Sequence, residues 1–323
     1  MANTVENDNT AIIETNTDSS SCKLYAISRD YWSDPYMKFF TTKHERKTPE
    51  INIGYYIRVT AIRKFLKKFI QQTNQQCQII NLGCGYDTTY FNLQDDPSLN
   101  VKHFIDIDFY QITEIKTRLI RRTPQLAEKL NINEEEESIS IPGGLHTSTY
   151  TILPVDLREI SSLDKQLQLI EKNLDYNLPT FFLSECVLIY MSLENSTNLL
   201  SYITQKFSTC FFLNFEQINM FDRFGQIMYD NLKQRCCHLL GIQACKSKQT
   251  QCQRFIDTNF QQAQLISLND YYKQYVDIRE KQRLDKIDGG LDEKELLEQL
   301  FDHYCFCWAY KDPLNIGLDK VTS

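Results

Sequence analysis

The stretch Q-I-I-N-L-G-C-G-Y-D at 78–87 constrains what this chain can fold into more than any other. Ile79, Ile80 and Leu82 have the character of a buried strand. Gly83-Cys84-Gly85 has that of a tight turn, and Asp87-Thr88-Thr89 opens a helix. A strand feeding a Gly-rich turn and then a helix is the ligand-binding end of a doubly wound α/β sheet. Glycine is needed there because the chain turns sharply and a ligand must approach bare backbone. A lone G-x-G also occurs in ordinary strand-to-helix turns. What distinguishes this one is a series of acidic residues that close later strands.

Residues 101–107 predict a second strand ending at Asp108, 25 residues after Gly83. Asp106 and Asp108 alternate with Ile105 and Ile107, so both carboxylates share a face and compete for one role. Residues 149–155 predict a third strand that ends at Asp156. The most apolar run, 178–191, holds Glu185, which is tolerable if the strand ends near Ser184 and the carboxylate faces a cleft with a partner. Further strands are predicted at 210–215, 263–268 and 303–310, the last two as a hairpin-like edge. Helical periodicity fills the intervals, including 193–207 with Ser192 as its N-cap. Strands alternating with helices give a mostly parallel sheet covered on both faces.

Before the first strand, Pro49 starts a helix running to about 70, with Tyr55, Val59, Ile62, Leu66 and Phe69 at helical spacing. By position alone, Arg58 on this helix is a solvated charge. Residues 1–20, rich in Asn, Thr, Asp and Ser, predict a disordered tail. Residues 21–323 then form one domain, with 22–70 as an N-terminal helical cap and 217–245 as a lid insertion. The four consecutive glutamates at 134–137 suit a solvated loop.

A net charge of −7 and a pI near 5.4 argue against nucleic acid as the main partner, since that binding depends on Lys and Arg neutralising phosphates. No apolar run reaches the ~20 residues of a membrane span, and no basic-then-apolar leader opens the chain. These features lead us to expect a soluble cytoplasmic monomer without a membrane partner. The eleven cysteines lack the C-x-x-C spacing of zinc sites; Cys305 and Cys307 would point the same way on a strand, which leaves a metal pair open, but core packing is the simpler use and no metal is expected.

Asp108, Asp156 and Glu185 would line one crevice beside Gly83 and Gly85, because ligands of open α/β sheets sit outside the carboxyl ends of the strands. Such a rim repels a phosphate and favours a ligand with many donors and a positive charge. S-adenosylmethionine, with a ribose diol, an adenine amino group, an ammonium and a sulfonium, fits that description. NAD fits less well, because Thr88 stands where its pyrophosphate favours a third glycine.

Longer motifs carry a resemblance. D-Y-W-S-D-P-Y at 30–36, E-R-K-T-P-E-I-N-I-G-Y-Y-I-R-V at 45–59, N-L-G-C-G-Y-D-T-T at 81–89, S-E-C-V-L-I-Y-M at 184–191, N-F-E-Q-I-N-M-F-D-R-F-G-Q-I-M at 214–228 and H-Y-C-F-C-W-A at 303–309 resemble the eukaryotic leucine carboxyl methyltransferases. The resemblance implies a Rossmann-like class I methyltransferase fold, with a seven-stranded sheet and a helical lid. It implies methyl transfer from S-adenosylmethionine to the C-terminal leucine of the type 2A protein phosphatase catalytic subunit. It also implies roles for residues. Arg58 would bind the donor's methionine carboxylate, which overturns its reading as a solvated charge, and Lys23 would approach the donor. Gly83 and Gly85 would lie under the donor and Asp108 would take the ribose. Asp156 and Leu157 would frame the adenine, Glu185 would contact the methionine end, and Tyr190 would face the reaction pocket. Arg58 and Tyr190 are candidates to orient the acceptor. The aromatics Tyr31, Trp32 and Tyr36, with the 217–240 segment, are expected to form the lid. Cys84 departs from the Ala often found between the two glycines. Two alternatives stay open: a carboxyl methyltransferase acting on a small acid or a modified tRNA base, and a non-catalytic binding module of the same fold.

Overall fold

The computed structural model describes residues 2–43, 45–130, 139–289 and 294–322, so the glutamate run at 134–137 lies outside the described residues. The strands are β1 (Gln78–Leu82), β2 (His103–Asp108), β3 (Leu145–His146), β4 (Tyr150–Pro154), β5 (Thr180–Glu185), β6 (Cys210–Gln217), β7 (Gln262–Ser267) and β8 (Tyr304–Lys311). They form one sheet in the order β3-β4-β2-β1-β5-β6-β8-β7. Strands β4, β2, β1, β5 and β6 are parallel, and β8 pairs antiparallel with both β6 and β7. The expected seven strands are present in this order, and β3 makes an eighth. It is two residues long, follows Pro142-Gly143-Gly144 and pairs antiparallel with β4 through Leu145–Ile152 and His146–Thr151. Two residues carry no periodicity, so the sequence gives no sign of it.

Every residue of β1 and β6 is buried, as expected of strands covered on both faces. One cover is α2 (Pro49–Gln72), which starts at Pro49 in the first helical turn, where a missing N–H costs nothing. Its buried face sets Phe69 edge-on to Phe181 of β5 at 5.2 Å and Phe65 against Trp308 of β8 at 5.6 Å. Each such aromatic pair adds about 0.5–1.5 kcal/mol beyond its area burial.

The register aligns the carboxyl ends of the central strands. Leu82 of β1 pairs with Ile107 of β2 and Ser184 of β5, and Glu185 pairs with Phe215 of β6. Strand order reverses at β1, so the turn at Gly83 is a topological switch point, where open α/β sheets bind ligands.

Two expectations about the N-terminus are corrected. The described part of the expected disordered tail 1–20, residues 2–20, is helical: Ala2–Ser28 is one long helix, α1. Its polar composition hides a seam of small residues, of which Ala11, Ser20, Ser21, Cys22 and Ala26 are buried against the domain. Nor do Tyr31, Trp32 and Tyr36 form a lid. They are 1%, 8% and 6% exposed, and Tyr36 packs on Phe91 at 5.7 Å while its hydroxyl donates to Asp95. They fix the end of α1 to the core.

Candidate active site

A cavity of about 410 Å³ lies beyond the carboxyl ends of β1, β2, β4, β5 and β6, within the ~300–1,000 Å³ usual for small-molecule sites. The residues to which the resemblance assigns donor or acceptor roles all line it: Lys23, Arg58, Gly83, Gly85, Asp108, Asp156, Leu157, Glu185 and Tyr190.

The floor is the turn after β1. Gly83 and Gly85 have φ of +65° and +50°, left-handed conformations that favour glycine. A Cβ on Gly83 would stand 2.4 Å from Val187 Cγ2, and one on Gly85 would stand 2.5 Å from Asn16 Oδ1. Bare backbone is therefore required on both sides. Beneath the turn, Asp106 and Asp108 separate in role. Asp106 is fully buried, accepts from Lys116 Nζ at 2.7 Å and Asn81 Nδ2 at 3.1 Å, and also accepts from the Tyr150 hydroxyl. It does not line the cavity and serves as the anchor of the turn. Asp108 does line it, accepting from Gly85 N–H and Phe109 N–H, both at 2.7 Å. Burial pushes the Asp108 carboxyl up to about 6, against those two backbone donors.

At one end, Asp156 accepts a fork from Arg158, with Nε to Oδ1 at 2.8 Å and Nη2 to Oδ2 at 2.6 Å. Leu157 is buried next to it. At the other end, Arg58 Nε lies 2.5 Å from Glu185 Oε2, and both side chains are nearly buried. The position of Arg58 on α2 gives no hint of this, because the pairing is made with a strand 127 residues away. The guanidinium also sits over the rings of Phe215 and Tyr55, at 4.8 and 5.5 Å. Burial alone would raise the Glu185 pKa, but Lys23 and Arg58 together outweigh it and hold the carboxyl below its usual range. Lys23 is shared, with its Nζ 3.8 Å from Asp87.

Tyr190 ends a one-turn helix, Leu188–Tyr190, and burial pushes its phenol well up, so it stays protonated and can donate. The turn is held from below by Glu216, which is fully buried and accepts from Ile189 N–H at 2.9 Å. Burial pushes Glu216 up to about 7. Thr88 donates to Asp34 at 2.6 Å and is buried away from the cavity.

The roof is what the sequence did not reveal. Residues of α1 including Ile12, Asn16, Asp18 and Ser19 line the cavity. Asn16 Oδ1 accepts from Tyr86 N–H at 2.9 Å, and Asn9 Oδ1 accepts from Arg158 at 2.6 Å. Asp18 pairs with Arg235, at the end of the Arg223–Gln234 helix. The available signal was the helical spacing of small residues at 11, 15, 19, 22 and 26. From the segment 217–245, Leu232 and Arg235 line the cavity, as does Gln217 at the end of β6.

The arrangement suits a ligand with hydrogen-bond donors for Asp108 and Asp156, a cation for Glu185 and a carboxylate for Arg58 and Lys23. No histidine is among the described residues that line it.

A family model described as leucine carboxyl methyltransferase matches residues 14–204. The chain is 40% identical over 319 residues to leucine carboxyl methyltransferase 1 of Bos taurus, covering 98% of this chain and 95% of that protein. It is 29% identical over 295 residues to tRNA wybutosine-synthesizing protein 4 of Rattus norvegicus, covering 90% of this chain but 42% of that one. Among solved structures, a duf574 family protein from Streptomyces avermitilis superposes with a TM-score of 0.53 at 11% identity, covering 91% of this chain and 97% of that chain, a likeness of fold alone.

Proposed function

The chain belongs to the leucine carboxyl methyltransferase family, and from that premise we propose that it transfers the methyl group of S-adenosylmethionine to the α-carboxylate of the C-terminal leucine of the type 2A protein phosphatase catalytic subunit, forming a methyl ester. The observation that carries this reading is the charge order along one cavity. Asp156 and Asp108 stand at one end and the Lys23–Glu185–Arg58 set at the other. That order complements the adenosine and amino-acid ends of the donor. The bare backbone at Gly83 and Gly85 gives the donor its floor.

When bound, the donor supplies an electrophilic methyl on a sulfonium. The protein's own work is then alignment. Asp108 accepts from the ribose diol, Asp156 and Leu157 frame the adenine, Glu185 takes the ammonium, and Arg58 with Lys23 takes the methionine carboxylate. The acceptor carboxylate is ionised at neutral pH, so no general base is needed, in keeping with a cavity wall free of histidine among the described residues. What limits a carboxylate in water is its solvation, and holding it in line within a roofed cavity can contribute several kcal/mol. Tyr190 donates towards the acceptor without neutralising it. Cys186 lines the same pocket, but burial pushes its thiol up to about 12, so it stays protonated and does not compete for the methyl group. None of the eleven cysteines, all among the described residues, is in a disulfide, which fits a reducing compartment such as the cytoplasm.

The test is incubation with labelled S-adenosylmethionine and two phosphatase catalytic subunits, one intact and one lacking its last leucine. Label on the intact subunit alone, released by mild base, is the expected result. Label on neither, with donor binding intact, would move the acceptor to a different acid.

A further inference from the structure

Two carboxylates have to be received in this one cavity, the donor's and the acceptor's. The cations among its described lining residues are Lys23, Arg58, Arg158 and Arg235. Lys23 and Arg58 flank Glu185 at the methionine end. Arg158 is forked onto Asp156 at the adenine end. Arg235 also lines the cavity, as the C-cap of the Arg223–Gln234 helix, with its N–H donating to the carbonyl of the lining residue Leu232. Its partner is a carboxylate from the roof, Asp18 of α1. The two side chains are 52% and 45% exposed. A pair this exposed contributes no more than about 1 kcal/mol and exchanges readily for another carboxylate.

Resting on the reading above, we propose that Arg235 receives the C-terminal carboxylate of the acceptor, and that Asp18 holds the same guanidinium as a placeholder until the acceptor arrives. A guanidinium grips a carboxylate by geometry as well as charge. One acceptor oxygen accepts from Arg235 and the other faces the methyl group. As the oxygen–carbon bond forms, the carbon–sulfur bond breaks and its electron pair stays on sulfur, with no proton to move. The product ester is neutral. Its hold on Arg235 therefore weakens at the moment of transfer, and Asp18 recaptures the guanidinium as the product leaves.

The alternative use of this pair is a latch that keeps α1 closed over the donor, and the two readings differ in sign. If Asp18 is a placeholder, Arg235→Gln raises the KM for the phosphatase by about 10- to 100-fold, the size of a lost charge-assisted hydrogen bond, while Asp18→Asn lowers that KM by up to about fivefold. Arg235→Lys falls between Arg235→Gln and wild type. Affinity for S-adenosylhomocysteine, measured by calorimetry, stays near wild type in all three. If the pair is only a latch, Asp18→Asn and Arg235→Gln weaken S-adenosylhomocysteine alike and shift KM in the same direction. That outcome, or an unchanged KM for Arg235→Gln, overturns the proposal. Wild-type protein that binds S-adenosylhomocysteine yet leaves the intact phosphatase unlabelled overturns the functional reading itself, and the role of Arg235 with it.

Discussion

Replacing Arg58 by Met removes half of a buried ion pair, and the structure sets the size of the consequence. The Arg58 and Glu185 side chains are 11% and 10% exposed and meet at 2.5 Å. Glu185 keeps its charge there only because Lys23 and Arg58 outweigh burial. Without Arg58, the remaining cation is Lys23, which is shared with Asp87. A buried charge stripped of its partner costs about 3–5 kcal/mol, a large share of the ~5–15 kcal/mol that holds a domain folded. Slight exposure of the pair puts the expected loss at the lower end. Because Glu185 is held below its usual pKa, its contribution is present above the unfolded carboxylate range and lost as pH falls through the folded value. Arg58→Met should therefore cost most at neutral pH and little in acid. The double variant Arg58→Met/Glu185→Gln removes both charges and should recover most of the stability, since a neutral pair is often no worse than a buried ionic one. On the proposed role of Arg58 it should not recover the donor, because losing a charge-assisted hydrogen bond to the methionine carboxylate would weaken binding by roughly 10- to 150-fold. Urea unfolding and calorimetry with S-adenosylhomocysteine read the two effects separately. A double variant that binds S-adenosylhomocysteine as tightly as wild type would remove both residues from the site.

Three further outcomes follow from the geometry. With burial pushing Asp108 up to about 6, affinity for S-adenosylhomocysteine should decline as pH falls below that value, approaching tenfold per pH unit, and Asp108→Asn should flatten the profile in calorimetry. Gly83→Ala places a methyl 2.4 Å from Val187 Cγ2 at a φ of +65°. It should cost about 1–2 kcal/mol in backbone strain and, by displacing Val187 into the cavity, weaken donor binding in the same titration. Glu216→Ala leaves the buried Ile189 N–H without an acceptor, a loss of about 1–3 kcal/mol. Through Tyr190 it should lower kcat more than donor affinity, whereas Glu216→Gln keeps an acceptor and should stay close to wild type. Equal kcat for the two Glu216 variants would show that the turn does not depend on that bond.

The parts of the site legible in the sequence are those tied to regular elements. Gly83, Asp108, Asp156 and Glu185 follow strand ends, and strand ends can be placed from runs such as F-F-L-S-E, because burial on both faces demands continuous apolar residues. The choice between Asp106 and Asp108 was not legible. Both point the same way along β2, and only the positions of Lys116 and Tyr150, brought in from other elements, decide which carboxylate is buried. Arg58 was mistaken from position alone for the same reason: its partner arrives through the tertiary fold, and the resemblance supplied what helical periodicity did not.

The misreading of residues 1–20 has a physical root that bears on function. A cavity that must exchange a spent donor for a fresh one cannot be roofed by a helix bound through large apolar side chains, because each such residue buried would add about 1.5–3 kcal/mol to the cost of opening. Helix α1 meets the cavity through Asn16 and Asp18, whose bonds to Tyr86 and Arg235 are polar and exchangeable with water or substrate, and through the half-buried Ile12 and Ile13, while Asn9 holds the lining residue Arg158. Its buried residues are small, such as Ala11, Ser20 and Ala26. That composition lacks the apolar stripe by which a packed helix is recognised. The small and polar composition that made the segment look unstructured is therefore what leaves much of its contact with the cavity polar, and the large aromatics Tyr31, Trp32 and Tyr36 just beyond it are buried.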